Sequence, residues 1–397
     1  MNLKKLIMWL IPLYPIMFMY MIGPVQLGLI IYTPLLLVML AQKKKLKVDP
    51  TYRLLCLALL LDEILQLVLP YTNPTTIFHV MVPQVVFMIT IICASNYLKL
   101  KDIMTPYMVI SVIYIMGLFY QVYQLFVLRI PITKPILLFP NLIAETNVVS
   151  EEILRPMSFF VEPQAFATWT VIFLIIMIEK KKYWLSALAT ISILLSGSTE
   201  GLVLTAVIWL LYIMFFKSKF WVKLIVIIGI IVMVNQYLTM EIFSVGLNKV
   251  TETEYEENIR LVQGFRMLGQ LDLTGWLFGI GTAMNHYYAN FAGSMAGDSV
   301  YMTSAAGTFV TNGLIVGIMF WIFLFNKINI KHKSLFIYSV CLCILPFAQT
   351  FFFGSGFVYV IVLFYLLRDD IENSQKNNTL KNYESSTHRI GAGQSNA

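Results

Sequence analysis

The chain has 397 residues, of which 58% are hydrophobic and only 12% are charged. Soluble globular domains carry about 25% charged residues, so this chain cannot cover its apolar surface with polar groups, and the composition excludes an ordinary soluble protein. The formal net charge of +7 does not indicate nucleic-acid binding, because the Lys and Arg residues stand in short clusters between apolar runs.

Apolar runs long enough to cross a bilayer as helices recur along the whole chain. We therefore predict an all-α polytopic membrane protein with about twelve transmembrane helices and one large extracytoplasmic loop. The predicted spans are roughly 6–22, 24–41, 54–71, 77–97, 105–128, 164–178, 183–197, 200–216, 220–238, 306–326, 334–353 and 356–367.

The distribution of basic residues predicts which segments face the cytoplasm. With both termini cytoplasmic, all but six of the 28 Lys and Arg residues fall on that side, as the positive-inside rule requires. The six exceptions are Arg129, Lys134, Arg155, Lys249, Arg260 and Arg266.

This topology divides the chain into four regions. Residues 1–238 hold the first nine spans and an outside loop at about 129–163. Residues 239–305 form the large extracytoplasmic loop, and 306–367 hold the last spans. Residues 368–397 are rich in Asn, Ser, Gln and Gly, and we predict a disordered cytoplasmic tail there.

Several chemical motifs are absent from the sequence. It contains no P-loop, no H-E-x-x-H, no paired C-x-x-C and no serine nucleophile elbow. The four cysteines all lie inside apolar runs, so no disulfide framework is indicated. We predict neither a metal site nor a cofactor.

The first outside loop runs into a helix through Arg155-Pro-Met-Ser158 and Glu162-Pro163. An arginine fork suits phosphate oxygens, so Arg155 is a candidate ligand for an anion. The alternative, favoured on these residues alone, is that Arg155 lies in the membrane interface while Glu162 caps the helix that Pro163 begins.

A polar turn at 194–201 joins two apolar runs on the outside. Ser196, Ser198 and Thr199 can cap the following helix and form a small anion site at its N-terminus. A tight helical hairpin without further function is the favoured interpretation of the spacing alone.

The large outside loop contains a stretch, 258–301, that combines two arginines, a histidine and several glycines. Residues 254–271 are predicted to form an amphipathic helix on the outer leaflet. Arg260 and Arg266 can flank one diphosphate, or can simply bind lipid headgroups. His286 can act as a general base or a phosphate ligand, although a lone surface histidine usually does neither.

Two adjacent acids, Asp62 and Glu63, stand near the middle of the third predicted span. Such residues cost several kcal/mol at that depth unless they are neutralised or solvated. They indicate a proton or ion path, or a polar partner within the bundle, and are the best argument for a transporter.

The order of these elements resembles the bacterial O-antigen polymerase and ligase superfamily, which includes capsular repeat-unit polymerases. The resemblance covers roughly residues 150–325. Glu200 stands where many members carry a basic or neutral residue. The matching elements are Arg155-Pro-Met-Ser158 with Glu162-Pro163, the turn from Leu195 to Gly201, then Gly279-Ile-Gly281, His286 and Asp298 to Tyr301, and a glycine-containing span with Gly307, Gly313 and Gly317.

The resemblance implies a metal-independent glycosyltransferase that acts on the extracytoplasmic face of the bacterial plasma membrane. It would join undecaprenyl-diphosphate-linked oligosaccharide repeat units into a surface polysaccharide. The residues expected to bind the diphosphate or the sugars are Arg155, Arg260, Arg266, Ser198 and Tyr301. The candidate catalytic residues are His286 and Glu162.

The expected partners are the lipid-linked oligosaccharide, membrane lipids, and flippase and chain-length regulator proteins, with no nucleic acid. Three other functions stay open on the sequence. They are an O-antigen ligase that moves finished glycan to a different acceptor, a flippase or transporter of lipid-linked glycan, and a non-catalytic scaffold within the same export machinery.

Overall fold

A computed structural model of the chain describes residues 3–42, 46–68, 74–142, 155–215, 259–281, 302–350 and 352–393, with a few positions between 220 and 231. For residues 3–4, 74–80, 259–263 and 377–393 it describes the backbone alone. Within these ranges the regular secondary structure is helical apart from one β-hairpin, in which β1 (Met21–Ile22) pairs with β2 (Val25–Gln26). The predicted all-α class is therefore confirmed.

The α-helices, numbered in chain order, are α1 (Leu3–Leu10), α2 (Tyr14–Met17), α3 (Leu27–Gln42), α4 (Pro50–Gln66), α5 (Pro74–Tyr97), α6 (Leu100–Phe126), α7 (Pro163–Glu179), α8 (Tyr183–Leu195), α9 (Thr199–Phe215), α10 (Ile259–Gln270), α11 (Leu273–Phe278), α12 (Ser304–Phe325), α13 (Lys333–Ala348) and α14 (Ser355–Gly393). Short 3-10 turns occupy Ile11–Leu13 and Pro140–Leu142.

Two of these helices, α6 and α12, are long and apolar enough to cross a membrane. Shorter apolar helices account for most of the other predicted spans. The first predicted span differs from the structure, because Pro12 and Pro15 divide it into short helical pieces that end before the hairpin. The predicted span 220–238 lies mostly outside the described residues, and the total of twelve spans stays a prediction.

The C-terminal helix α14 continues to Gly393, where the composition predicted a disordered tail. Contacts beyond the apolar part of this helix hold its next turn in place. Lys180 lies 2.5 Å from Asp370, and Arg368 lies 3.8 Å from Glu372 one turn further on. Both ion pairs favour continuation of the helix beyond its apolar part. The pair between Lys180 and Asp370 joins two helices, so amino-acid composition alone cannot predict it.

The core of the bundle surrounds α7, which is buried at every position from Phe166 to Ile178. The indole of Trp169 stacks on Tyr359 of α14 at 5.6 Å between ring centres. Tyr107 of α6 shares a 2.8 Å hydrogen bond with Tyr359, so the buried hydroxyls satisfy each other. Helix α7 is therefore a fixed support for whatever its N-terminal end carries.

Contacts between helix ends define two ends of the bundle. At the first, which we call the basic end, Lys327 contacts Asp49, Lys180 contacts Asp370, and Lys333 donates to the carbonyl of Phe215. The opposite end holds the N-termini of α7, α9 and α12 and the C-terminus of α13. The predicted site residues that the structure describes lie toward this opposite end.

Candidate functional site

Arg155 connects the first two sequence elements of the site. Its Nη1 donates a hydrogen bond to the backbone carbonyl of Gly197, in the turn between α8 and α9, at 3.4 Å. The side chain of Arg155 is half-buried. The structure therefore brings the Arg155 segment and the 194–201 turn, which are 42 residues apart in sequence, into direct contact.

Hydrogen bonds hold the segment after Arg155 against α6. The side-chain oxygen of Gln121 accepts hydrogen bonds from the backbone N–H groups of Met157 and Ser158, at 2.8 and 2.6 Å. The hydroxyl of Ser158 donates to the carbonyl of Tyr114 at 2.6 Å. These buried bonds fix the backbone that carries Arg155, which limits the positions that its guanidinium can reach.

The 194–201 turn is a capped helical hairpin. The hydroxyl of Ser198 is buried and accepts a hydrogen bond from the N–H of Gly201 at 3.2 Å, which caps α9. A Cβ on Gly201 would lie 2.6 Å from the Cβ of Ala167, so glycine lets α9 approach α7 closely. The capping interpretation of Ser198 is confirmed, and its contact with substrate stays a prediction.

Close packing of α9 on α7 produces a polar cluster around a carboxylate. Glu200 accepts hydrogen bonds from the amide of Gln164 and, at 3.1 Å, from the hydroxyl of Thr168. Gln349 donates to the same hydroxyl at 3.2 Å. We call Gln164, Thr168, Glu200 and Gln349 the Glu200 cluster. It places a half-buried carboxylate in the turn of chain that Arg155 contacts.

Glu162 lies at the N-cap position of α7, and Pro163 is the first residue of the helix. Its backbone is extended, as a capping residue requires, but its side chain makes no capping hydrogen bond. The predicted N-cap position of Glu162 is therefore confirmed, although its side chain does not supply the capping hydrogen bond. Pro163 favours the start of the helix at this position, and the Glu162 carboxylate makes no hydrogen bond to the N–H groups of the first turn.

The start of α12 is joined to the Glu200 cluster. The N–H of Ser304 donates to the carbonyl of Gln349 at 3.0 Å. Ala306, two residues further along, packs against α10, where a Cβ on Gly264 would lie 2.8 Å from the Cβ of Ala306. Helix α10 carries both Arg260 and Arg266, and the side chain of Arg266 is exposed.

The predicted amphipathic helix in the large loop is present as α10. Its buried face forms a small second core with α12 and the segment after α11. The members of this core are Met267, Leu271, Ile280, Met302 and Val310. This part of the loop is therefore packed into the bundle.

The Gly279-Ile-Gly281 element fills a break in α12. Gly313 has non-helical backbone angles within α12, which frees carbonyls of the preceding turn. The N–H groups of Ile280 and Gly281 donate to the carbonyls of Val310 and Thr311, both at 2.9 Å. At these glycines the chain therefore forms two backbone hydrogen bonds, and these satisfy the carbonyl groups that the break in α12 leaves without a helical partner.

His286 and Tyr301 lie outside the described residues, as does the side chain of Arg260. Sequence reasoning missed the polar partners of Glu200. Gln164 and Thr168 stand one helical turn apart in the first half of a mostly apolar helix, which is a usable signal. Gln349 offers no comparable signal. Within the described ranges, no three His, Cys, Asp or Glu side chains come together as a metal site.

Comparison with known proteins finds no family model, no curated protein and no solved structure that matches the chain.

Proposed function

We propose that the chain is a polytopic protein of the bacterial plasma membrane that joins lipid-diphosphate-linked oligosaccharide repeat units on the extracytoplasmic face. The observation that carries this proposal is the hydrogen bond from Arg155 to Gly197. It brings a phosphate-binding type of side chain to the turn that carries Glu200. A cation for a diphosphate and a carboxylate for a proton are the two groups that the reaction needs.

The distribution of charge supports an outward orientation for this site. By the positive-inside rule, the end of the bundle with Lys180, Lys327 and Lys333 faces the cytoplasm. Arg155 and Glu200 lie toward the opposite end, which would then face outward. No nucleotide is needed there, because the lipid-linked donor already carries its diphosphate leaving group.

The proposed reaction is a displacement at the anomeric carbon of the donor sugar. The acceptor hydroxyl oxygen forms a bond to this carbon, and the bond from the carbon to the diphosphate oxygen breaks. The electron pair of that bond goes to the diphosphate, whose charge Arg155 stabilises, with Arg260 and Arg266 on the adjoining helix as further ligands.

The proton of the acceptor hydroxyl goes to a carboxylate. Glu200 is the stronger candidate, because two hydrogen-bond donors hold its orientation. Glu162 is the second, because its side chain is not used in capping α7. His286 stays the third. A correctly positioned base of this kind contributes about 10²–10⁴-fold to a rate.

The experiment that tests this function uses purified full-length protein and a lipid-linked oligosaccharide repeat unit, without nucleotide. A ladder of longer lipid-linked products is the expected result, and Arg155→Ala should slow its formation by about 10²–10³-fold. Transfer to a foreign acceptor alone would establish a ligase instead. Movement of the substrate across a vesicle membrane without new glycosidic bonds would overturn the proposal in favour of a flippase.

The flippase is the second candidate because of one observation, the broken helix α12. Transporters commonly bind substrates or ions at discontinuous helices near the membrane centre. Here the break at Gly313 lies beside Asp62, which accepts a hydrogen bond from Asn312 at 3.0 Å. The freed carbonyls of Val310 and Thr311 are already bonded to the protein, which favours a structural break over a substrate site.

A further inference from the structure

Two acidic side chains stand next to each other in α4 but have different surroundings. Asp62 is 5% exposed and Glu63 is 2% exposed. Oδ2 of Asp62 accepts hydrogen bonds from the amide of Gln66 at 2.8 Å and from that of Asn312 at 3.0 Å. Two amide donors therefore satisfy this oxygen of Asp62.

Glu63 has no comparable set of donors. It faces Gln84 of α5, whose side chain lies within hydrogen-bonding reach of the carboxylate. However, Oε1 of Glu63 and Oε1 of Gln84 both lack a hydrogen-bond partner among the described residues, and both residues are more than nine-tenths buried. Both atoms are acceptors, so neither can satisfy the other unless a proton is added.

We propose that Glu63 and Gln84 form a proton-binding site inside the bundle. The proton resides on Oε1 of Glu63, which then donates to Oε1 of Gln84. The amide nitrogen of Gln84 donates to the other carboxyl oxygen of Glu63. A single proton thereby satisfies both buried oxygens in a cyclic acid–amide pair and removes a charge from an apolar environment.

The groups around this site are consistent with a neutral Glu63. In the described part of the chain, α5 presents the amide of Gln84 to Glu63, while α12 presents Thr311 to Gln66 and Asn312 to Asp62, and none of these three groups titrates. The titratable neighbour is Asp62 on the same helix. Two adjacent carboxylates oppose each other's charge, and the proton belongs on Glu63, whose buried Oε1 lacks a donor.

Occupancy of the site would affect the bundle beyond α4 and α5. Gln66, one turn from Asp62, also donates to the carbonyl of Thr311 at 3.0 Å, immediately before the break in α12. Loss of the proton would leave a buried charge between α4 and α5. This charge would disturb the packing of α4, which carries Gln66, and so weaken the hydrogen bond from Gln66 to Thr311. The proposal does not depend on the glycosyltransferase function.

The first test is modification of the full-length protein in detergent by dicyclohexylcarbodiimide, an apolar reagent that reacts with protonated carboxyl groups. Peptide mass spectrometry should find Glu63 modified, with a yield that falls as pH rises, and Glu372 in the exposed part of α14 unmodified. Absence of modification at Glu63 across the pH range, with other buried carboxyls modified, would overturn the proposal.

The second test is thermal unfolding across pH. A proton bound only in the folded state stabilises by mass action, so the Tm of the wild type should fall as pH rises. Glu63→Gln supplies an amide in place of the neutral acid and should keep the low-pH Tm while losing this pH dependence. Glu372→Gln is the matched control and should keep it.

Two results would contradict the assignment. The first is a Tm for Glu63→Gln that is as low as the Tm of Glu63→Ala at every pH. The proposal predicts a higher Tm for Glu63→Gln, because its neutral amide can still hydrogen-bond to Gln84. The second is a wild-type Tm that rises when sodium chloride replaces choline chloride at constant ionic strength, because a metal cation rather than a proton would then occupy the site.

Discussion

Gly279 and Gly313 lie against each other's backbone segments where the chain after α11 crosses the break in α12. Both have positive φ, 71° and 72°. A Cβ on Gly279 would lie 2.3 Å from the carbonyl oxygen of Thr311, and a Cβ on Gly313 would lie 2.3 Å from that of Leu277. Each glycine therefore lies against the backbone of the segment that contains the other, and the two segments can approach this closely because neither glycine has a side chain.

The first prediction concerns this pair. Replacing either glycine by alanine imposes a backbone conformation that is essentially restricted to glycine and adds a clash with backbone atoms. We expect a loss of stability on the order of 3 kcal/mol for Gly279→Ala or Gly313→Ala. Thermal unfolding of the purified variants in detergent measures it.

Gly269 provides the matched control in the same loop. It lies in α10, and nothing stands within 4 Å of the Cβ it would gain. Gly269→Ala should therefore be neutral or stabilising by up to about 1 kcal/mol, because alanine favours helix. Equal Tm values for Gly269→Ala and Gly313→Ala would show that the two segments do not meet.

The second prediction concerns Arg155. If its guanidinium stabilises the leaving diphosphate, Arg155→Ala should lower the rate of glycan extension by about 10²–10³-fold, the usual effect of removing one charge-stabilising donor. Arg155→Lys should recover only part of the rate, because an ammonium cannot supply two parallel hydrogen bonds. The assay is extension of a lipid-linked repeat unit, with membrane protein levels measured in parallel.

The control for this prediction is Arg129→Ala, which removes an exposed arginine from the segment after α6. Both wild type and variant have a non-glycine residue at this positive φ, so the backbone strain is unchanged. Extension should remain at the wild-type rate. A similar loss in both variants would mean that general surface charge, rather than a specific Arg155 contact, supports activity.

Local sequence patterns predicted the helices far better than the site. Helix α7 begins at Pro163 and ends at Glu179, within one residue of the predicted span, because a proline and a continuous apolar run determine both ends. The break at Gly313 was not predictable in this way. Thr311-Asn312-Gly313 interrupts the apolar run and Asn-Gly is a local turn signal, but the break also depends on the fit of Gly279, more than thirty residues earlier.

The Glu200 cluster shows the same limit. Its four members come from two helices, α7 and α9, and from the residue after α13, and only Gln164 and Thr168 are related by helical spacing. Glu200 was identified in sequence merely as a departure from the family pattern. Its partners depend on the close contact of α9 with α7 at Gly201, which is a property of tertiary packing.

The third prediction distinguishes the two candidate carboxylates. If Glu200 accepts the proton, Glu200→Gln should lower glycan extension by about 10²–10⁴-fold, while Glu162→Gln should have a much smaller effect. The stability cost of Glu200→Gln should be on the order of 1 kcal/mol, because one hydrogen bond in the cluster is lost. The pH dependence of extension should lose its acidic limb in the Glu200 variant.

The reverse result is equally informative. A large loss in Glu162→Gln and near-normal extension in Glu200→Gln would assign the base to Glu162 and leave the Glu200 cluster a structural role. Measured Tm values for both variants separate these outcomes, because a purely structural effect of Glu200→Gln would lower Tm and activity together without changing the pH profile of the remaining activity.

The last prediction concerns an ion pair at the basic end. Nζ of Lys327 donates to Oδ2 of Asp49 at 2.7 Å, and Lys327 is 3% exposed. Burial alone would raise the pKa of Asp49, but hydrogen bonds from Lys327 and Thr51, with the charge of Lys327, outweigh it and lower the pKa from 3.8 to about 2. The pair therefore stabilises the folded state at neutral pH.

The sign of the pH dependence follows from the lowered pKa of Asp49. Its contribution is fully present above the unfolded value of 3.8 and is lost as pH falls through about 2. Asp49→Asn should lower stability at neutral pH by about 3–5 kcal/mol, because it leaves Lys327 buried without its partner. The variant should also lose the acid-induced fall in Tm that Asp49 contributes between pH 4 and pH 2, as measured in detergent.

Two further variants complete this test. Asp49→Asn combined with Lys327→Met removes both charges and should recover most of the lost Tm, because no unpaired buried charge remains. Asp369→Asn is the control, since its carboxylate is 47% exposed and its pairing with Arg368 should contribute less than about 1 kcal/mol. If the double variant is no more stable than Asp49→Asn, then the cost comes from the lost cap of α4 rather than from Lys327, because Asp49 also accepts from the N–H of Thr51 at 2.9 Å.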